Sequence, residues 1–109
     1  MSNYYRDRVL NGAEVVDRVY ESRSFLGFRH TRPSYPVHIV VIPKAEIDNL
    51  LSLPDDPILV GEMMEALRAV SKQVVAEHGR CRVITNLGEY QESKHLHWHV
   101  IAGERISGD

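Results

Sequence analysis

Three histidines at alternate positions, His95, His97 and His99, are interleaved with Leu96, Trp98 and Val100 near the end of the chain. On a β-strand successive side chains point to opposite faces, so the imidazoles would share one side and the apolar residues the other. On a helix the same spacing would scatter them around the cylinder. A strand over His95–Ala102 is therefore expected. Three kinds of chemistry suit such a row. It can be a solvated polar face, although three of the chain's six histidines at period two make that a coincidence. It can ligate zinc, since neutral imidazole is a common ligand. Alternate residues stand about 6.5–7 Å apart along a strand, however, so one ion takes two of them and needs others, such as His38, from elsewhere. Or it can attack phosphorus. A neutral imidazole is a competent nucleophile, and hydrolysis of the phosphorylated histidine divides one hard displacement into two easier ones. The central residue then needs its far nitrogen protonated and hydrogen-bonded to a backbone carbonyl or another histidine. Its neighbours can donate hydrogen bonds to phosphate oxygens. This reading uses all three positions and their order.

The elements that must position this row are legible upstream. Residues 1–14 read as a loose arm or a short helix ahead of a single domain that occupies the 109-residue chain. Val15–Tyr20 and Phe25–Phe28 read as strands, with Gly27 weakening the second. Two prolines keep Thr31–Pro36 extended or turned. The β-branched run Val37–Ile42, ended by Pro43, is a buried central strand with one polar residue, His38. Glu46–Leu53 fits a short helix. Asp56 before Pro57 is a helix start, and Gly79 after His78 is a stop. Between them Val60, Met63, Met64, Leu67, Val70, Val74 and Val75 form one apolar stripe suited to packing on a sheet. Arg82–Thr85 is another strand, ended by Asn86 and Gly88. The order predicts an α+β domain with a mostly antiparallel sheet, one long helix and a short one.

The His-φ-His-φ-His run, φ being apolar, resembles the signature of the histidine-triad (HIT) family of nucleotide hydrolases and transferases. The likeness extends to Val19-Tyr20-Glu21, Phe25–Phe28, Pro33–Lys44 with His38 in place, Asn86-Leu87-Gly88, and Gln91 four residues ahead of His95. It covers the chain from about Val15 onward. The resemblance implies that His97 is the nucleophile that takes up a nucleoside monophosphate and that His99 contacts the phosphate. It implies that His95 supports the protonation network and that His38 completes a four-histidine cluster. It further implies a purine nucleotide conjugate as substrate, such as a nucleoside phosphoramidate or a dinucleoside polyphosphate, cleaved at the α-phosphorus. Aliphatic side chains of the early strands would sandwich the base, with Asn86, Gln91 and Ser93 near the nucleotide. A homodimer joined edge to edge is implied as well, with no cofactor.

The chain departs from the family pattern in places. Tyr90 stands where the loop before the triad carries a glycine, and Glu92 where it carries a hydroxyl, with Ser93 displaced by one. A carboxylate there repels a phosphate unless it points outward or Lys94 neutralises it. The acidic residue that grips the ribose is replaced near Arg29 and His30, and Arg29 is either a phosphate ligand or a solvated loop charge. These changes bear on substrate identity. A nucleotide sensor with little turnover, or a His-ligated zinc protein, are the competing functions. A net charge of −2 gives no global attraction for a nucleic-acid backbone or an anionic membrane. Cys81 is the only cysteine, so no internal disulfide or Cys-rich zinc cluster forms. The absence of a membrane-length apolar run and of a signal-like start leads to an expected cytoplasmic location.

Overall fold

The computed structural model describes residues 3–106. A helical segment, Tyr5–Leu10, precedes β1 (Arg18–Glu21), β2 (Phe25–Arg29) and β3 (Val37–Pro43). A single 3-10 turn, Leu50–Ser52, leads to the long helix α1 (Pro57–His78). After it come β4 (Arg82–Thr85), a second 3-10 turn (Gly88–Tyr90) and β5 (Trp98–Ala102). The five strands form one sheet in the order β1-β2-β3-β5-β4, antiparallel at every pairing. This is the expected α+β architecture.

Strand β3 is buried along its whole length, as its nearly unbroken apolar sequence requires. Its two faces do different work. Ile39 and Val41 join Phe25, Leu96, Val100 and the helix residues Met63, Ala66, Leu67, Val70 and Val74 in the main core. Val40 and Ile42 join Leu26 and Phe28 in a second core, which Tyr5 and Val9 cover from the N-terminal segment. Helix α1 starts where Asp56 accepts the amides of Ile58 at 3.0 Å and Leu59 at 3.4 Å. It stops at Gly79, whose φ of 80° favours glycine. Its close seat on the sheet depends on Gly27, where a Cβ would come 3.4 Å from Val70 and 3.2 Å from Tyr20.

Three expectations are corrected. Strand β1 begins at Arg18 and Val15 is exposed, while the Glu14 amide just before it donates to the Arg8 carbonyl of the N-terminal segment. The short helix at Glu46–Leu53 shrinks to one turn. The Asn49 side chain takes the amides of Leu51 and Ser52, and Pro54 follows with no amide to offer. Met64 and Val75 lie one step around α1 from the buried Met63 and Val74 and are 46% exposed. Of the two readings offered for the N-terminal residues, the short helix holds over Tyr5–Leu10, with Tyr5 and Val9 buried.

Gly103, just past β5, has φ +91°, and a Cβ there would meet the Pro36 ring at 2.7 Å. This contact seats the chain end on the 31–36 loop, where the amide of Ile106 also donates to the Ser34 carbonyl at 2.7 Å. Gly103→Ala is expected to cost about 1–3 kcal/mol, read as a lowered thermal midpoint. An unchanged midpoint would contradict the contact.

Candidate active site

His97 lies in the irregular stretch just before β5, not on the strand itself. Its main chain is pinned from the neighbouring strand, where the Thr85 hydroxyl donates to the His97 carbonyl at 2.8 Å. Its Nδ1 lies 2.7 Å from the His95 carbonyl. A carbonyl only accepts, so Nδ1 carries the proton and Nε2 the lone pair. That nitrogen makes no hydrogen bond among the described residues. Burial pushes the imidazole below the usual histidine range, so it is neutral near pH 7. A neutral, oriented imidazole with a free lone pair results.

His38 and His99 face one another across β3 and β5, with Nε2 of His38 and Nδ1 of His99 2.9 Å apart. The direction of this bond follows from a backbone group. The Ser34 amide donates to His38 Nδ1 at 3.0 Å, so neutral His38 carries its proton on Nε2 and gives it to His99 Nδ1. Neutral His99 is thereby left with its own proton on Nε2. Burial lowers both pKa values, so neither ring is charged near neutrality. The same logic applies to His30. The Arg32 amide donates to its Nδ1 at 2.9 Å, which leaves the proton on Nε2. Its ring centroid lies 4.4 Å from that of His38. One lone pair, on His97, is thus accompanied by ring N–H groups on His99 and His30.

A cleft of about 690 Å³ gathers His30, His38, His97 and His99 with Asn86 and Ser93. That volume suits a nucleotide-sized ligand. The Ser93 hydroxyl is enclosed and has no hydrogen-bond partner among the described residues. Glu92 and Tyr90 also line the cleft. Three candidates lie elsewhere. His95 is fully buried behind the cleft, because the chain bends through residues 93–95 before β5 begins, so the expected continuous strand of three histidines is corrected. Gln91 is buried, and its Nε2 donates to the Asp48 carbonyl at 2.6 Å. Arg29 points to Asp17 at 3.1 Å on the surface, away from the cleft. Leu96, Trp98 and Val100 do face the helix side, as the alternation predicted.

The sequence reading missed residues in the N-terminal segment and the proline loop. The Tyr5 ring lies 4.8 Å from His97 and 6.1 Å from Phe28, centroid to centroid, and lines the cleft. It covers the second sheet core, which the apolar residues of the early strands had been expected to offer to a base. Ser34 and Arg32 act through backbone amides, which no side-chain pattern betrays. Among the described residues, no group of three or more His, Cys, Asp or Glu side chains is placed to hold a metal ion. No helix among them is long and apolar enough to cross a membrane.

Comparison with known proteins gives a consistent picture. The family model described as HIT domain matches residues 13–106. An HIT-like protein of Synechococcus elongatus is 36% identical over 95 residues, covering 84% of this chain and 82% of the relative. A histidine triad protein from Clostridium difficile is 32% identical with a TM-score of 0.75, over 94% of this chain and 91% of the other. A hypothetical histidine triad nucleotide-binding protein from Sulfolobus tokodaii is 27% identical with a TM-score of 0.79. It is matched over 66% of its length by 88% of this chain.

Proposed function

The chain belongs to the HIT family, and from that premise we propose that it hydrolyses purine nucleotide conjugates at the α-phosphorus through a nucleotidyl-histidine on His97. The observation that carries this reading is the pair of bonds that fixes opposite tautomers side by side. The His95 carbonyl leaves a lone pair on His97 Nε2, and the Ser34 amide, through His38, leaves an N–H on His99 Nε2. In the first step Nε2 of His97 forms a bond to phosphorus. The bond to the leaving group breaks with its electron pair, and that group takes up a proton from water. The imidazole becomes cationic, and its Nδ1–H bond to the His95 carbonyl strengthens as a charge-assisted one. Donors on His99 and His30, with Asn86 and the unpaired Ser93 hydroxyl beside them, are suited to phosphate oxygens, whose charge grows in the transition state. In the second step water attacks phosphorus and gives up a proton to the hydroxide left by the first step, the N–P bond breaks, and its electrons return to Nε2. A nucleoside monophosphate leaves. That a relative of this fold is named a nucleotide-binding protein supports the ligand class.

The pH dependence follows from burial. Catalysis needs His97 neutral, and its pKa lies below the ordinary 6.5. The acid limb of kcat/KM is therefore expected to have its midpoint below pH 6.5. A profile of kcat/KM on an adenosine phosphoramidate checks this, and a midpoint at or above 6.5 would contradict it.

A nucleotide sensor with little turnover is favoured by one specific observation. Glu92 lines the cleft, and its charge reaches His97 and His30. That carboxylate opposes an incoming phosphate. A fluorogenic adenosine phosphoramidate separates the readings. Product release supports the hydrolase, whereas saturable binding with no product supports the sensor. Assembly as a homodimer belongs to the same proposal. Strand β4 forms the outer edge of the sheet, and Val83 on it is 41% exposed, which suits edge-to-edge pairing with a second copy.

A further inference from the structure

His95 belongs to the histidine row yet cannot touch a ligand, being wholly buried outside the cleft. Its ring is nevertheless held at both nitrogens. Nε2 lies 2.8 Å from the Pro43 carbonyl and so carries the proton. Nδ1 then holds a lone pair, and the Asn3 side-chain Nδ2 donates to it at 3.2 Å. Asn3 is 4% exposed. Its Nδ2 also lies 3.4 Å from the Lys94 carbonyl, and its Oδ1 accepts the Arg6 amide at 3.0 Å. One amide side chain therefore caps the N-terminal helical segment with its oxygen and clamps the turn before the nucleophile with its nitrogen. The carbonyl of His95, the residue so clamped, sets the tautomer of His97.

We propose that Asn3 is a positioning residue for His97, acting through His95, so that the N-terminal segment is a working part of the site; this rests on the nucleophilic reading of His97. The segment bears on the nucleophile at two places. Asn3 fixes the His95 ring from one side, and the Tyr5 ring packs against His97 itself. The Arg6–Glu46 ion pair, at 3.2 Å, ties the segment to the loop after β3. The Ile47 carbonyl of that loop accepts the Leu96 amide at 2.7 Å, between the two histidines. The segment, the loop after β3 and the turn at 93–96 thus brace one another around a single imidazole.

Two substitutions in the full chain separate positioning from capping. Asn3→Asp keeps an oxygen for the Arg6 amide, so the helical cap survives, but it places an acceptor where His95 Nδ1 needs a donor. Asn3→Leu removes both. The introduced carboxylate is expected to draw a second proton onto His95, whose ring also feels Glu46, Arg6 and Asp48 and packs near Tyr5. Long-range proton–nitrogen NMR spectra should show His97 in a single Nδ1–H tautomer in the unaltered protein. In Asn3→Asp, His95 should be doubly protonated. In Asn3→Leu, the His97 tautomers should mix. Turnover of an adenosine phosphoramidate should fall about 10- to 100-fold in kcat, with KM within about twofold, since misplacement of a reacting group by an ångström has that scale of effect. Lower melting temperatures with unchanged kcat and unchanged His95 and His97 spectra would overturn the proposal and leave Asn3 a cap. If Asn3→Leu does not fold, Asn3→Asp decides alone. If the unaltered protein turns over nothing, the nucleophilic reading fails separately, and the spectra still decide whether Asn3 governs the two histidines.

Discussion

His97→Asn is expected to lower kcat by about 10⁴-fold or more while changing nucleotide affinity by less than about threefold, because the loss falls on the reacting atom alone. Asparagine is short enough to fit the space and retains an N–H for the His95 carbonyl, so the turn at 93–97 keeps its brace. What disappears is the lone pair at the position of Nε2. The ring N–H groups of His99 and His30 and the rest of the cleft are untouched, so binding is expected to persist. Single-turnover kinetics with the phosphoramidate, paired with calorimetric titration of the nucleoside monophosphate, read the two quantities independently. Equal losses in both would mean that His97 binds rather than reacts. Unchanged turnover would remove it from the chemistry altogether.

His99→Leu is expected to reduce kcat by about 10²- to 10³-fold, the usual scale for removing one fixed donor from a developing oxyanion. Leucine fills a comparable space between Val40 and Ile84, which flank position 99 in the sheet, so the strand register should hold. The prediction has an internal control in His38→Phe. That change leaves the His99 ring in place but removes the bond that assigns its proton to Nε2. Neutral His99 would then divide its population between two tautomers, one of which turns a lone pair toward the phosphate. The loss should be smaller than for His99→Leu and should appear in kcat rather than in KM. If His38→Phe costs nothing, backbone control of the His99 tautomer is not part of catalysis.

Much of this arrangement was legible in the sequence, for identifiable reasons. Period-two alternation separated the histidines from Leu96, Trp98 and Val100, and His97 and His99 do face the cleft while those three face the helix side. The apolar run Val37–Ile42 announced a central strand with His38 on it, and pairing of β3 with β5 brings that histidine beside His99. Asp56-Pro57 and Gly79 marked both ends of α1 because capping is local chemistry. The failures share a different cause. The bend through residues 93–95 withdraws His95 from the row, and nothing in alternation announces it, since the loop is held by distant carbonyls at Ile47, Asp48 and Pro43. Gln91 was misplaced for the same reason, its side chain being used by the Asp48 carbonyl. The N-terminal segment reads as polar and aromatic, yet Tyr5 is buried as a cover for the second sheet core and Asn3 against the His95 ring and the Lys94 carbonyl. Tautomers could be required by sequence reasoning but not assigned, because the deciding partners are backbone groups.

The stereochemical course at phosphorus tests the covalent step most directly. A nucleoside phosphoramidate replaced by its P-chiral phosphorothioate analogue, hydrolysed in isotopically labelled water, yields a product whose configuration can be read. Two successive in-line displacements, first by His97 and then by water, predict overall retention. Inversion would mean that water strikes phosphorus directly and that no bond to His97 ever forms.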